Sequence, residues 1–263
     1  MHGQANRRLM LMILSAVFAF LYIPISVLFA LSFNDGGLPT AWTGFSTKWY
    51  GALFANDEII GAALNTLFVA VVSTVLATIL GTLLAIGVEI RRRKGRFIET
   101  IIFAPMIIPD IVLAIALLSF FSLLNLTMGL HTVIVSHVVF NLAFVCSVVR
   151  ARLKTFDWSI VEASVDLGAS TPITLWRVVL PVMLPAVIAG ALLAFTLSVD
   201  EFIIAFFTAG AGRDSITLPM QIFAMIRFGV TPEINALATL VMTFSVIALA
   251  LSQRLNRGGL PGQ

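Results

Sequence analysis

Long apolar stretches separated by short charged clusters dominate this sequence and limit what it can fold into. Only 11% of the 263 residues are charged, whereas a soluble domain carries about a quarter. A helix needs about 20 consecutive apolar residues to cross a bilayer, and several stretches reach that length. The pattern therefore predicts an all-α integral membrane protein and disfavours the alternative, an unusually apolar soluble domain.

Six of these stretches are candidate transmembrane helices, and no linker divides them into groups. Their approximate limits are 9–31, 61–88, 98–124, 130–149, 183–208 and 235–252. The first stretch is too long for the core of a cleaved signal peptide, so we expect it to be retained as a span. Residues 1–263 are expected to form a single transmembrane domain.

Basic residues indicate the orientation, because loops on the cytoplasmic side of a membrane are enriched in Lys and Arg. With the N-terminus inside, the inner segments hold 13 Lys and Arg residues and the outer segments hold 3. Both termini are therefore expected in the cytoplasm. Cytoplasmic loops also explain the net charge of +3, and no Arg-rich motif with interleaved aromatic residues indicates binding to nucleic acid.

The inner segment at about 150–182 contains the most informative motif. It reads Glu162-Ala163-Ser164-Val165-Asp166-Leu167-Gly168, then nine residues, then Val178-Val179-Leu180-Pro181. A helix is expected to end at Gly168, because glycine favours the left-handed conformation found at helix C-termini. Thr171 and Pro172 are expected to be the N-cap and the first residue of a second helix.

The full pattern resembles the EAA loop of ABC importer permeases, which reads Glu-Ala-Ala, three residues, Gly, nine residues and Ile-x-Leu-Pro. Every spacing agrees, and only Ser164 and Val178 depart from the residue types. The resemblance implies the type I ABC importer permease fold, with a coupling helix that docks on an ATPase subunit. The residues that it assigns to coupling are Glu162, Ala163, Ser164, Asp166, Gly168, Leu180 and Pro181.

Other stretches are similar to the spermidine/putrescine permeases of this family. They are residues 47–50, 109–112, 152–154, 166–170, 195–200 and 235–239. The resemblance implies polyamine import by alternating access in the bacterial inner membrane. It also implies four kinds of partner: two ATPase subunits, a second permease subunit, an extracytoplasmic substrate-binding protein and membrane lipid.

The chain lacks the phosphate-binding motif G-x-x-x-x-G-K-[ST], whose backbone amides and lysine hold the phosphates of ATP. We therefore expect a transport subunit, not an enzyme, with no cofactor of its own. ATP and Mg²⁺ would be bound by the partner ATPase subunits.

Three carboxylates, Asp110, Asp200 and Glu201, lie in or at the ends of apolar stretches without a basic neighbour. Ionisable groups inside a membrane are costly and mark functional sites. No Lys or Arg lies within the apolar cores, so we predict that these acids line a path for a cationic substrate. The alternative is that Asp110 caps a helix and the other two lie at the outer interface.

Pro105 and Pro109 predict a break or kink in the third span, which is tolerated where a helix lines a cavity. At 1.5 Å per residue, Asp110 lies about 16 Å from the inner end of its span, near the midplane. The same count places Asp200 about 22 Å from the inner side, in the outer half.

Ser198 and Trp49 are weaker candidates for the path. Ser198 is either a polar contact beside Asp200 or a small residue that lets helices approach closely. Trp49 either stacks on a passing cation or anchors the chain at the membrane interface. His137 is expected to be a hydrogen-bonded interior histidine, and the other two histidines lie far away in sequence, so no metal site is predicted.

Two other functions are compatible with these features. One is an ABC importer permease for another cationic or zwitterionic amine. The other, from a different class, is a secondary transporter or channel that uses Asp110 as a proton or ion site. The EAA loop argues against the second alternative.

Overall fold

The computed structural model of this chain describes residues 2–37, 41–90, 96–227, 229 and 231–243. Within these ranges the regular structure is helical, and the only strand-like pairing is one isolated bridge between Asn34 and Phe45. The all-α prediction is confirmed.

Eleven α-helices are delimited within the described ranges. They are α1 (His2–Leu31), α2 (Lys48–Phe54), α3 (Asp57–Ile90), α4 (Arg96–Ile107), α5 (Asp110–Leu123), α6 (Leu130–Leu153), α7 (Ser159–Asp166), α8 (Thr171–Thr174), α9 (Leu180–Asp200), α10 (Ile203–Thr208) and α11 (Leu218–Arg227). A π-helical turn covers Leu175–Val179, and a 3₁₀ turn covers Arg213–Ser215. Residues 232–243 are also helical.

Four helical stretches in the described ranges are long and apolar enough to cross a bilayer, or five if the bent pair α4–α5 forms one span. The four are Leu9–Leu31, Asp57–Ile90, Leu130–Leu153 and Thr171–Asp200. The predicted sixth span begins within the helical residues 232–243, and the rest of it lies outside the described residues. The count of six is therefore not confirmed.

The third predicted span is broken, as the two prolines indicate, but only at the second of them. Pro105 lies inside α4, whereas Pro109 immediately precedes α5. The residue before a proline is disfavoured in the helical conformation, which accounts for a break at Ile108. The two helices are bent by 114° at this break, so a depth counted along one continuous helix does not apply to Asp110, and its place near the midplane stays a prediction.

The fifth predicted span begins earlier than expected. The helical stretch starts at Thr171 and ends at Asp200, and the π-helical turn precedes Pro181 in the first turn of α9. Proline has no N–H to donate, and it follows a π-helical turn, where the regular i to i−4 hydrogen bonding of the helix is already interrupted. The N-cap is Ser170 with extended backbone, one residue before the predicted Thr171.

Contacts divide the chain into two units, one formed by Met1–Ile60 with Ile222–Gln263 and the other by Gly61–Gln221. In the first unit, the Asn34 side chain organises the segment after α1. Its amide nitrogen donates to the Ala41 carbonyl at 2.7 Å, and its oxygen accepts from the Thr43 amide at 2.8 Å. The apolar stretch Leu9–Leu31 of α1 buries none of its residues within this chain.

In the second unit, α6 is the central helix, with 61% of its most apolar stretch buried. Gly81 of α3 and Gly190 of α9 both approach Val145. A Cβ atom added at Gly81 would lie 2.9 Å from Val145 Cβ, and one at Gly190 would lie 3.4 Å from Val145 Cγ1. Small residues at these two positions therefore allow close helix packing.

Two apolar clusters surround α6. One joins α3, α4 and α9 to the second half of α6 and includes Cys146, Leu153 and Met183. The other joins α5 and α10 to the first half of α6 and includes Phe140 and Ile204. These clusters fix the ends of α5, α9 and α10, where the predicted acids lie.

Candidate functional sites

The motif-bearing loop forms a short helix, α7, that follows directly after α6. Its start is fixed by Asp157, whose carboxylate accepts a hydrogen bond from the Ser159 amide at 3.0 Å. Hydrogen bonds from the Ser159 side chain and backbone hold the pKa of the Asp157 carboxyl below its usual value. An acid placed before the first turn satisfies amides that have no helical acceptor.

The end of α7 has the geometry expected from its glycine. Gly168 has a φ of +82°, its amide donates to the Val165 carbonyl at 2.8 Å, and the Ala169 amide donates to the Ser164 carbonyl at 3.1 Å. This pair of bonds is a Schellman motif, which needs a left-handed residue after the helix. The predicted role of Gly168 as a helix terminator is confirmed.

One face of α7 contacts the rest of the second unit, and the other faces outward. Trp158 and Val161 pack against the apolar cluster at the second half of α6. The outward face exposes three of the predicted coupling residues, Glu162, Ala163 and Asp166. Beside them are exposed apolar side chains, including Val165 and Leu167, the latter 89% exposed. No residue of α7 is buried within this chain.

A hydrogen bond joins α7 to α8. The Ser164 and Thr174 hydroxyl oxygens lie 3.0 Å apart, with Thr174 buried. From Thr174 the chain continues through the π-helical turn into α9 as one helical stretch. Leu180 and Pro181, the last residues of the motif, are the first two residues of α9. The loop is therefore joined to the long helical stretch Thr171–Asp200, through this hydrogen bond and through continuous helix.

A buried ion network lies at the end of α6 that precedes the loop. The Arg150 guanidinium is 2.5 Å from a Glu99 carboxylate oxygen on α4 and 3.5 Å from a Glu89 oxygen on α3. It also lies over the Phe103 ring, 5.8 Å from the ring centroid. This network was not predicted from the sequence, although Glu89 at the end of a long apolar stretch was a signal. Arg150 therefore links α6 to α3 and α4 beside the loop.

The three predicted acids come together at the ends of two helices. Asp110 is the first residue of α5, Asp200 is the last residue of α9, and Glu201 follows it. Asp110 and Asp200 both lie close enough to Glu201 to act on it electrostatically. Asp200 is exposed, and the other two are half-buried.

Glu201 also has a structural role. Its carboxylate accepts a hydrogen bond from the Ile204 amide at 2.7 Å, in the first turn of α10. Asp110 lies in the first turn of α5, where the helix dipole favours negative charge. Both acids are therefore at helix N-termini, as the capping alternative expected, and they also interact electrostatically with one another.

Ser198 is buried in the last turn of α9, two residues before Asp200. Its hydroxyl oxygen lies 3.0 Å from the Ser73 hydroxyl oxygen of α3 and 2.7 Å from Nδ1 of His137 on α6. The prediction that His137 is a hydrogen-bonded interior histidine is confirmed. The partners were missed, because they lie 61 and 125 residues apart in sequence.

Trp49 is held in the first unit. Its indole N–H donates to the Asn34 carbonyl at 2.8 Å, and the Lys48 ammonium lies 5.1 Å from its ring centroid. Lys48 also pairs with Asp35 at 2.8 Å, and this hydrogen-bonded charge lowers the pKa of the Asp35 carboxyl. The acids belong to the second unit, so the placement of Trp49 on the same path stays a prediction. No group of three or more His, Cys, Asp or Glu residues in the described ranges is arranged to hold a metal.

Comparison with known proteins identifies the family. Residues 77–257 match the family described as "Binding-protein-dependent transport system inner membrane component". The spermidine/putrescine transport system permease protein PotC of Escherichia coli K12 is 41% identical over 250 residues, covering 95% of this chain and 94% of the relative. The putrescine transport system permease protein PotI of the same strain is 42% identical over 244 residues, covering 88% of this chain and 85% of the relative.

Solved structures agree on the fold. A chain of a bacterial ABC transporter involved in the import of the acidic polysaccharide alginate superposes with a TM-score of 0.77 at 17% identity, covering 95% of this chain and 96% of that one. A chain of the inward-facing MetNI methionine ABC transporter superposes with a TM-score of 0.61 at 22% identity, covering 78% and 97%. Identities this low support the fold alone. The family match and the relatives together show that this chain belongs to the binding-protein-dependent transport system inner membrane component family, the permeases of ABC importers.

Proposed function

We propose that this chain is the permease subunit of an ATP-driven polyamine importer, carrying spermidine or putrescine across the bacterial cytoplasmic membrane by alternating access. The observation that carries the proposal is the 41% identity, over 95% of the chain, to a spermidine/putrescine permease. Because the likeness extends over nearly the whole length, it includes the spans as well as the loop.

The chemistry of the second unit supports a cationic substrate. Asp110 and Asp200 both lie close enough to Glu201 to interact with it, and like charges in one place repel one another. A protonated amine would relieve this repulsion and replace water around the carboxylates. Putrescine and spermidine carry separated charges on a flexible chain, which suits several acids better than one compact site. The proposed path consists of these acids with Ser198 and Trp49.

The proposed site of energy coupling is the outward face of α7. Glu162, Ala163 and Asp166 would contact the ATPase subunit, with Gly168 setting the end of the helix and Ser164 joining it to α8. ATP and Mg²⁺ would be held by the ATPase subunits. Movement of α7 would reach α9 through Leu180 and Pro181. Supporting this role, the outward face is polar at its centre and flanked by exposed apolar side chains.

The assembly that this function requires contains a second permease subunit, two ATPase subunits and an extracytoplasmic substrate-binding protein. We propose that both termini are cytoplasmic, on the basis of the distribution of Lys and Arg residues. A topology reporter inserted at Gly212 is then expected outside. One inserted at Gly95, which lies outside the described residues, is expected in the cytoplasm.

The test is ATP hydrolysis by the complete purified transporter. Putrescine or spermidine, presented by the substrate-binding protein, is expected to stimulate hydrolysis. Anionic or neutral solutes added to the same preparation are expected to have no effect. Purification without any associated ATPase would contradict the assembly. Stimulation by an unrelated solute alone would contradict the polyamine assignment.

A further inference from the structure

Three buried side chains from three helices form one hydrogen-bonded chain. His137 of α6, Ser198 of α9 and Ser73 of α3 are at most 2% exposed. The two links are 2.7 Å from His137 Nδ1 to Ser198 Oγ and 3.0 Å from Ser198 Oγ to Ser73 Oγ. All three residues belong to the second unit.

The direction of donation follows from the last hydrogen bond of this series, which Ser73 makes. The Ser73 hydroxyl donates to the Ala70 carbonyl at 3.4 Å, and a carbonyl can only accept. Ser73 Oγ then accepts from the Ser198 hydroxyl, and Ser198 Oγ accepts from His137. His137 therefore carries its proton on Nδ1, which leaves Nε2 of the neutral imidazole as a lone-pair acceptor. A second proton on Nε2 would create a buried charged donor, for which the described residues supply no acceptor.

Nε2 of His137 has no hydrogen-bond partner among the described residues, although it is buried. Asn141 lies one helical turn further along α6, is fully buried, and has no partner there for either side-chain amide atom. Residues four apart on a helix lie on the same face. Buried polar atoms are nearly always hydrogen-bonded, and leaving them unpaired is unfavourable. Two such residues on adjacent turns point to a ligand that supplies donors.

We propose that His137 Nε2 and the Asn141 side-chain oxygen form a neutral acceptor site for one protonated amine of the substrate. This inference rests on the proposed function and deepens it. An ammonium group has three donors and no acceptor, which complements two uncharged acceptors and excludes an anion. Ser198, which contacts His137, precedes Asp200 by about 3 Å of helical rise, so His137 lies near the end of α9 at which Asp200 and Glu201 are found.

The acids and the neutral site have different roles because they differ in charge. The three acids attract a polyamine, whereas a neutral site binds an ammonium group less strongly and lets it leave. A polyamine has amines separated by short methylene chains, so one amine reaches the neutral site while another stays near the acids. Opening of the closely packed helices α3, α6 and α9 would give the amine access to His137.

Two substitutions separate contact with the substrate from support of Ser198. In His137→Asn, the side-chain amide replaces Nδ1 and keeps the bond to Ser198 but loses Nε2. In His137→Gln, the amide reaches the Nε2 position and loses Nδ1. The measurement is ATP-driven uptake of labelled putrescine and spermidine by the complete transporter in proteoliposomes, normalised to assembled complex.

The proposal expects the KM of His137→Asn to exceed that of His137→Gln by about ten-fold, the size of one lost hydrogen bond to a charged group. The reverse order would overturn it and assign His137 to positioning Ser198. Equal KM values would also overturn it, and would assign Nε2 to an ordered water. If the wild type transports no polyamine, the proposed function fails first, and this outcome is distinguishable from the others.

Asn141→Leu gives an independent test if a His137 variant fails to assemble. It removes the second proposed acceptor, keeps a side chain of similar size, and leaves His137 and Ser198 unchanged. Replacing an unpaired buried amide by an apolar side chain need not destabilise the protein. The proposal expects the KM for polyamines to rise about ten-fold. A KM equal to that of wild type would overturn the proposal.

Discussion

Ser164 of α7 and Thr174 of α8 join the two halves of the coupling loop, with their hydroxyl oxygens 3.0 Å apart. Many loops of this type have alanine where this chain has Ser164, so the bond is an addition that the motif does not require. Because Thr174 is buried, removal of its partner leaves an unpaired hydroxyl.

The first prediction is that Ser164→Ala and Thr174→Val each weaken the attachment of α7 by about 1 kcal/mol. This corresponds to roughly five-fold faster hydrogen exchange of the α7 amides in the assembled permease. The double variant is expected to be no worse than the single ones, because both remove the same bond. Additive effects of the two substitutions would show that the hydroxyls do not act as a pair.

The second prediction concerns docking of the ATPase. Glu162 is exposed on the outward face of α7, so Glu162→Ala is expected to weaken recovery of the ATPase in a membrane pull-down without reducing the amount of permease. Gly168→Pro is expected to have a larger effect, because it removes the amide that closes the helix and forbids a φ of +82°. Thr155→Ala, exposed but outside α7, is the control. Wild-type recovery with both loop variants would rule out α7 as the docking helix.

The third prediction concerns the three acids. Asp110→Asn, Asp200→Asn and Glu201→Gln are expected to reduce polyamine uptake at least about ten-fold, because each removes a charge from the cation path. Glu201→Gln keeps an oxygen that can accept from the Ile204 amide, so assembly should be retained. Glu201→Ala also removes that cap, which costs about 1 kcal/mol of stability.

Asp214→Asn is the matched control for these acids, because Asp214 is exposed in the 3₁₀ turn after α10. Its uptake should equal that of wild type. If all three substitutions at the acids transport normally, then these groups serve only as helix caps or interface residues.

The fourth prediction tests the close packing of α3 on α6. In Gly81→Ala the new methyl group would lie 2.9 Å from Val145 Cβ and 3.0 Å from the Leu142 carbonyl oxygen. Such overpacking costs about 1–3 kcal/mol, so the midpoint of thermal unfolding of the purified permease should fall. Gly87→Ala in the same helix meets nothing within 4 Å. It should raise stability slightly, by up to about 1 kcal/mol, since alanine favours helix. Equal midpoints for the two variants would contradict the packing described.

The parts of the fold that depend on local chemistry were predictable from sequence. The helix end at Gly168 depends on one residue with a left-handed backbone, and the break at Pro109 depends on the geometry of the residue before proline. The bend of 114° that follows was not predictable. Its size is set by the packing of α5 on α10 and α6, which are distant in sequence.

The site was predictable where residue type alone is informative. Carboxylates in apolar stretches identified Asp110, Asp200 and Glu201, whose proximity only the fold reveals. Ser73 and Thr174 gave no such signal, because a hydroxyl in an apolar helix can simply bond to its own backbone. Ser73 is bonded to Ser198, and Thr174 to Ser164. These pairs, like the bond between Ser198 and His137, form only when separate helices pack together.

The most direct test of the account is transport by the complete complex reconstituted in proteoliposomes, with the ATPase sites facing a compartment that contains ATP and Mg²⁺. The predicted result is accumulation of labelled putrescine or spermidine that requires ATP hydrolysis and the substrate-binding protein. Unlabelled polyamine should compete, and the neutral diol of the same length as putrescine should not. Accumulation of the diol as readily as putrescine, or polyamine movement that is independent of ATP, would contradict the account.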